Sequence, residues 1–561
     1  MSSTRYAIGV DFGTLSGRAV LVRVSDGAEI TTAVSEYSHG VIDERLPDSQ
    51  VALGPDWALQ DPDDYLRVFA EAIPAVMKQS GVAAEEVVGV GIDFTACTML
   101  PALKDGTPLA RVPQWRNNPH AWVKLWKHHA AQDEADKINA TAREMNEPWL
   151  PRYGGKISSE WFFSKALQIL DEAPEVYAAA DRLLEAADWV VWQLTGVETR
   201  NTCTAGYKAI WSKREGFPHN EFFRALDTRF EHVVDEKMSR TLTPIGSRAG
   251  VMTPAAAQMT GLCPGTPVAV ANVDAHVAVP ACGITQPGSL VSIMGTSTCD
   301  MLLATQEAMI EGMCGFTADG IIQGYLGYEA GQSCVGDGFA WFVENCVPEH
   351  YFDEAREKGV SVHQVLEAYA TQLKPGESGL VALDWWNGNR SILVDAELSA
   401  VMVGITLATT APEMYRAWLE ATAFGRRVII ESFINGGLPV HEIIACGGLP
   451  DRNHLLMQIY ADVTGLPIKV AASNYASALG SAMFGAVAAG KAAGGYDTID
   501  EAASQMAHLR DMQFTPNPAN KAMYDALYAE YLRLHDYFGR DIHSSVKKLR
   551  QLKRSTVSAT E

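Results

Sequence analysis

Two short Gly-Thr segments about half a chain apart carry the residue types that grip phosphate. In Asp11-Phe12-Gly13-Thr14-Leu15-Ser16-Gly17-Arg18, the glycines let backbone N–H groups approach an anion closely, while Thr14, Ser16 and Arg18 add side-chain donors. Asp11 stands at the end of the preceding strand-like run, where a carboxylate can hold Mg²⁺ through water. Asp-x-Gly-Thr is also ordinary turn composition. Its return as Met294-Gly295-Thr296-Ser297 gives it weight, because two such turns facing each other across a cleft would clamp a polyphosphate from both sides.

Transfer of a phosphoryl group to a hydroxyl needs the proton removed, and a carboxylate within hydrogen-bond reach suffices. Asp274 is the candidate: Val268 to His276 reads as a buried strand running into a helix start, just before the second turn. Capping that helix is the competing role for Asp274. His276, a lone histidine near a helix start, reads as structural. Further on, Ala445-Cys446-Gly447-Gly448-Leu449-Pro450 follows a strand, and a Gly-Gly turn there lets a nucleoside ring pass close to the backbone. Gly485 to Lys491 matches the spacing of a Walker A loop, but Ala492 stands where Ser or Thr should hold Mg²⁺. Its context is a small-residue helix, Ala476 to Ala489, with Gly490 as the stop.

The elements that must position these residues follow from pattern. Tyr6 to Val10 and Ala19 to Val22 are β-branched runs around the first turn, and Ser289 to Met294 with Met301 to Leu303 repeat that hairpin around the second. A hairpin repeated this far apart implies two domains of one architecture. The expected division is 1–286 and 287–545, at the Gln286-Pro287-Gly288 turn, with a solvated polar tail over 546–561. Val87 to Ile92, Val268 to Val270 and Glu442 to Cys446 read as strands. Helices are expected over Ser159 to Leu170 with Ser158 or Ser159 as cap, Asp181 to Leu194, Pro412 to Ile434, Asn453 to Thr464 and Asn520 to Tyr537. The class is α/β.

Composition bounds the function. The chain has 561 residues, about twice the roughly 250 to 300 at which one core stops growing. It is 47% hydrophobic and 20% charged, with a formal charge of -22, which disfavours a nucleic-acid partner. Phosphate must be handled locally, by backbone N–H groups, hydroxyls and a metal ion. No apolar run approaches a membrane span, and the N-terminus lacks a signal-peptide pattern, so the expected location is the cytoplasm. Nine scattered cysteines without a Cys-x-x-Cys pair argue against a disulfide framework or a zinc site.

Taken in order, Asp11-Phe12-Gly13-Thr14, Asp274, Gly295-Thr296-Ser297, and Gly447-Gly448 with Asn453-x-x-Leu456-Met457-Gln458 resemble the FGGY carbohydrate kinases, over about Tyr6 to Gly490. The resemblance implies two ribonuclease-H-like domains of the actin-like ATPase superfamily, with ATP, Mg²⁺ and a sugar in the cleft between them. It implies Asp274 as general base and Asp11, with Asp274 beside it, toward magnesium. Gly13, Thr14, Ser16, Arg18, Gly295, Thr296 and Ser297 would meet the phosphates, and Gly336, Gly447, Gly448 and Asn453 the nucleoside. The segments Gly91 to Thr98, Leu125 to Ala131, Gly154 to Trp161 and Ser473 to Ala482 are most similar to members acting on L-ribulose, implying phosphorylation at O5 in arabinose breakdown. Xylulose, D-ribulose and ribitol are the alternatives, with a sugar-independent ATPase scaffold behind them. Ala96, Trp126, Lys208, Asp274 and Glu329 would then touch the sugar. A small Ala96 leaves room for a longer chain, and Lys208 with Glu329 suits the carbonyl and hydroxyls of an open-chain ketose. A homodimer is the family expectation.

Overall fold

Tyr6–Phe12 (β1) and Ser16–Arg23 (β2) pair antiparallel around the first Gly-Thr turn, as the hairpin pattern requires. The computed structural model describes residues 4–540 and 542–558. Glu29–Glu36 (β3), Val87–Phe94 (β4), Arg248–Val251 (β5), Pro267–Ala269 (β6) and Asn272–Val273 (β7) complete the first sheet, in the order β3-β2-β1-β4-β6-β5 with β7 beside β4. Around the second turn, Ser289–Met294 (β8) pairs with Thr298–Ala304 (β9). Phe316–Ala318 (β10), Leu326–Gln332 (β11), Glu442–Cys446 (β12), Ile468–Ala471 (β13) and Leu509–Phe514 (β14) extend that sheet in the order β10-β11-β9-β8-β12-β13-β14.

The two sheets repeat one plan. On one side of β1 the successive pairings β1–β2 and β2–β3 are antiparallel; on the other β1–β4 and β4–β6 are parallel and β6–β5 is antiparallel. In the second sheet β8–β9 and β9–β11 are antiparallel on one side, and β8–β12 and β12–β13 parallel with β13–β14 antiparallel on the other. This is the duplication implied by the repeated hairpin. The fold is α/β, and the two Gly-Thr turns occupy equivalent corners of its two halves.

The halves are joined tightly. The helix Ala476–Ala489 lies in the second half of the chain yet packs on β1 and β4 of the first. Side chains at Gly9 and Gly91 would not fit there: a Cβ at Gly9 would overlap the carbonyl oxygen of Ala478, and one at Gly91 that of Ser481. Small residues on the helix and glycine on the strands bring backbone against backbone. The Walker-like Gly485 to Lys491 stretch runs out of this helix, with Gly490 at its C-cap.

Three local expectations are corrected. The helix expected from Ser159 runs Phe162–Glu172, with Trp161 at the N-cap and no side-chain cap; Ser158 Oγ instead accepts from the Glu160 N–H at 3.2 Å. Every residue from Phe162 to Leu170 is buried, so packing fixes this helix. The helix expected over Asp181 to Leu194 begins as a strand, Arg182–Glu185, paired with Met99–Ala102, before the helix Ala186–Thr195. The tail is not simply solvated. The helix Ser545–Ser558 docks through buried Val546, a Lys547–Asp395 ion pair of 2.7 Å and an Arg550 Nη1 bond to Ala396 O of 2.7 Å. Among the described residues, no helix is long and apolar enough to cross a membrane.

Because Ser481 O occupies the space of a Cβ at Gly91, Gly91→Ala should cost about 1–3 kcal/mol or more by overpacking. Denaturant unfolding checks this; an unchanged midpoint would contradict the backbone contact.

Candidate active site

In the first turn, the Gly13 N–H donates to Ser16 O at 3.0 Å. Thr14 is held from two directions: its carbonyl accepts from Gln60 Nε2 at 2.7 Å, and its hydroxyl from Trp126 Nε1 at 3.0 Å. Ser16 opens β2, and Arg18 stands opposite Asp11 in the β1–β2 register, its guanidinium 4.5 Å from the centre of the Tyr475 ring. In the second turn, the Gly295 N–H donates to Ser297 O at 2.9 Å, leaving Gly295 and Thr296 exposed. The chain from Val335 onward supports that turn from behind: Val335 N–H donates to Thr296 O at 2.8 Å and Gly336 N–H to Gly295 O at 3.2 Å. Gly447, at φ +93°, is required by position, since a Cβ there would overlap Met294 O at the base of the same turn. Gly295, Thr296, Ser297, Gly336, Gly447 and Gly448 are thus brought to one place. Asn453 is committed elsewhere: it caps the helix His454–Thr464 by accepting from Leu456 N–H at 2.8 Å and donates to Tyr415 OH at 3.1 Å.

Carboxylates gather beside the first turn. β1 and β4 pair in parallel so that Gly9-Val10-Asp11-Phe12 lies in register with Gly91-Ile92-Asp93-Phe94. The Phe12 and Phe94 rings stack at 4.9 Å, and Asp93 stands beside Asp11, fully buried, accepting from Ser481 Oγ at 2.6 Å. Burial raises both carboxyl pKa values, Asp93 the more because the charge of Asp11 adds to it. Two buried carboxyls this close disfavour carrying two negative charges at once. Sequence reasoning missed Asp93; the signal was the repeated Gly-x-Asp-Phe.

Asp274 is the first residue of the helix Asp274–Ala281, and the N-cap is Val273. Among the described residues its Oδ1 accepts only from the adjoining Ala275 N–H, at 2.7 Å, so the capping role weighed from sequence is not the one it plays. Burial pushes its pKa up to about 7, and the charge of Asp11 adds to the shift. A carboxylate with that pKa is tuned to accept a proton near neutrality.

Lys208, at the end of the helix Thr202–Lys208, and Glu329 on β11 meet between the two halves of the chain, with Nζ 2.8 Å from Oε1 and 3.0 Å from Oε2. His276 Nε2 lies 3.3 Å from Glu329 Oε2, so the histidine read as structural belongs to this cluster. Burial alone would raise the Glu329 pKa, but Lys208 and His276 hold it well below the usual carboxylate range. Burial likewise opposes the charge on Lys208, and Glu329 overcomes it, so the lysine stays protonated. Trp161 lies 5.5 Å from the ammonium, ring centre to Nζ. Ala96 is half-buried on the loop after β4. Arg390, missed from sequence, reaches the same region, with Nη1 3.8 Å from Cys299 Sγ.

Residues 6–280 match the N-terminal domain, and residues 290–489 the C-terminal domain, of the FGGY family of carbohydrate kinases. The chain belongs to that family. It is 59% identical over 551 residues to a ribulokinase of Halalkalibacterium halodurans, covering 98% of each chain, and 57% identical over 557 residues to one of Geobacillus thermodenitrificans, covering 99% of each. Among solved structures, the xylulose kinase of Rhodospirillum rubrum superposes with a TM-score of 0.77 at 22% identity, over 95% of this chain and 98% of that one. Membership makes this an ATP-using sugar kinase with the two-domain actin-like fold.

Removing one partner of a buried ion pair strands the other charge, so Lys208→Met or Glu329→Met should each cost about 3–5 kcal/mol, and the double variant much less than their sum. Additive losses in denaturant unfolding would contradict the pairing.

Proposed function

We propose that this chain transfers the γ-phosphoryl group of ATP to O5 of L-ribulose, giving L-ribulose 5-phosphate and ADP, as a cytoplasmic step of arabinose breakdown. The observation that carries the reading is the near full-length identity to ribulokinases, and the Lys208–Glu329 pair beside Asp274 fits it chemically. An open-chain ketose presents a carbonyl, which needs a donor, and hydroxyls, which need acceptors. Lys208 supplies the first and Glu329 the second. Ala96 leaves space, and Trp126 walls the pocket while holding Thr14.

Asp274 removes the O5 proton as the oxygen attacks in line. N–H groups and hydroxyls of the Gly13-Thr14 and Gly295-Thr296-Ser297 turns hold the phosphates, with Ser16 and Arg18 behind the first turn. Gly336, Gly447 and Gly448 leave the backbone open to the nucleoside, and Asn453 acts by fixing the helix that follows. Among the described residues there is no cluster of three or more metal-ligating side chains. That fits Mg²⁺, which prefers one or two carboxylates together with substrate phosphates. Asp11, beside the first turn, and Asp274, at the start of its helix, are the carboxylates that would hold it. When bound, the ion would neutralise phosphate charge.

Three measurements check this. In a coupled ADP assay over pentuloses and pentitols, L-ribulose should give the highest kcat/KM; turnover without sugar, or a preference for xylulose or ribitol, would overturn the assignment. Asp274→Asn should lower kcat by about 10²–10⁴-fold while ATP still binds. Since the base must be ionised, kcat/KM for the sugar should fall as pH drops through the Asp274 pKa of about 7, and a flat profile would exclude Asp274 as base.

A further inference from the structure

Lys165 takes no part in the chemistry above, yet it lies fully buried in the first turn of the helix Phe162–Glu172. Burial pulls its pKa down to about 8, so the fold bears a cost that methionine of similar volume would avoid. What the ammonium touches accounts for it. Nζ donates to Cys97 O at 2.7 Å and to Leu125 O at 2.6 Å.

Those carbonyls belong to the residues immediately after Ala96 and immediately before Trp126. Cys97 has φ +55°, the left-handed region that a residue with a side chain holds only when its surroundings impose it. The turn around it is closed by the Thr95 and Thr98 hydroxyls at 2.8 Å. Trp126 in turn donates to Thr14 at 3.0 Å. One turn further along the same helix, Gln168 Nε2 donates to Ala130 O at 3.1 Å and Gln168 Oε1 meets His128 Nε2 at 2.9 Å. The inner face of this helix thus fastens the whole stretch after Leu125.

We infer that Lys165 is a positioning residue for the sugar: its two hydrogen bonds tie the Ala96 turn to the Trp126 corner and set the width of the pocket between them. The inference rests on the assignment of Ala96 and Trp126 to the sugar. It assigns Lys165 no contact with substrate.

The test compares Lys165→Met and Lys165→Gln with the unaltered protein. KM and kcat are measured for L-ribulose at saturating ATP and for ATP at saturating ribulose, with circular dichroism reporting the fold. Lys165→Met should raise the ribulose KM about tenfold and change the ATP KM by less than about twofold. Lys165→Gln, which keeps N–H donors at shorter reach, should fall between. Should the methionine variant fail to fold, the glutamine variant carries the same split. A ribulose KM unchanged in the folded variants overturns the inference, as does an equal rise in both KM values, which would mark general loosening. Ala96→Leu separates the two readings. If it leaves the ribulose KM unchanged, the pocket assignment falls and the inference with it; if it raises that KM while the Lys165 variants do not, the inference alone falls.

Discussion

The contact on which the site depends is backbone against backbone, where the helix Ala476–Ala489 lies on Gly9 of β1 and Gly91 of β4. With no side chain between them, the helix comes close enough for Ser481 to reach Asp93 at 2.6 Å. The same glycines begin the two Gly-x-Asp-Phe runs that pair in register, so the packing that joins the halves also sets Asp11 beside Asp93. A bulkier residue at either glycine would move the helix away from the pair, and Ser481 with it. Fold and site share one constraint at this point.

A chain of net charge -22 that handles a polyphosphate has to arrange its charges locally, and the structure does so by pairing. Burial raises the pKa of both Asp93 and Asp11, and the charge of Asp11 raises that of Asp93 further, which disfavours two negative charges side by side. Glu329 is kept ionised by Lys208 and His276 in a buried position, where either charge alone would be expensive. These arrangements put one carboxylate by the first Gly-Thr turn, one tuned near neutrality at the start of its helix, and an ion pair at the proposed sugar end. The Lys208–Glu329 pair also spans the two halves, so the proposed sugar site draws on both.

Features with local signals were legible in the sequence. Both hairpins, the strand Glu442–Cys446 and the helix Ala476–Ala489 follow from β-branched runs, turn residues and small-residue composition, and the structure has them where those signals stand. What was not legible depends on distant partners. Arg182–Glu185 is a strand because Met99–Ala102 offers it an edge, and the last helix docks because Asp395 and the Ala396 carbonyl meet it. His276 is ordinary until Glu329 arrives from the other half. Lys165 is harder still, since its acceptors are main-chain carbonyls, which no residue type announces. Asp93 is the exception, written in a four-residue repeat whose meaning depends on the two strands pairing in parallel and in register.

The most direct test of the account is a crystal structure with a non-hydrolysable ATP analogue and L-ribulose bound together. The account requires the triphosphate between the Gly13-Thr14 and Gly295-Thr296 turns, O5 of the sugar within hydrogen-bond distance of Asp274, and the carbonyl end against Lys208 and Glu329. Phosphates lodged away from the two turns, or a sugar whose O5 points away from Asp274, would contradict it.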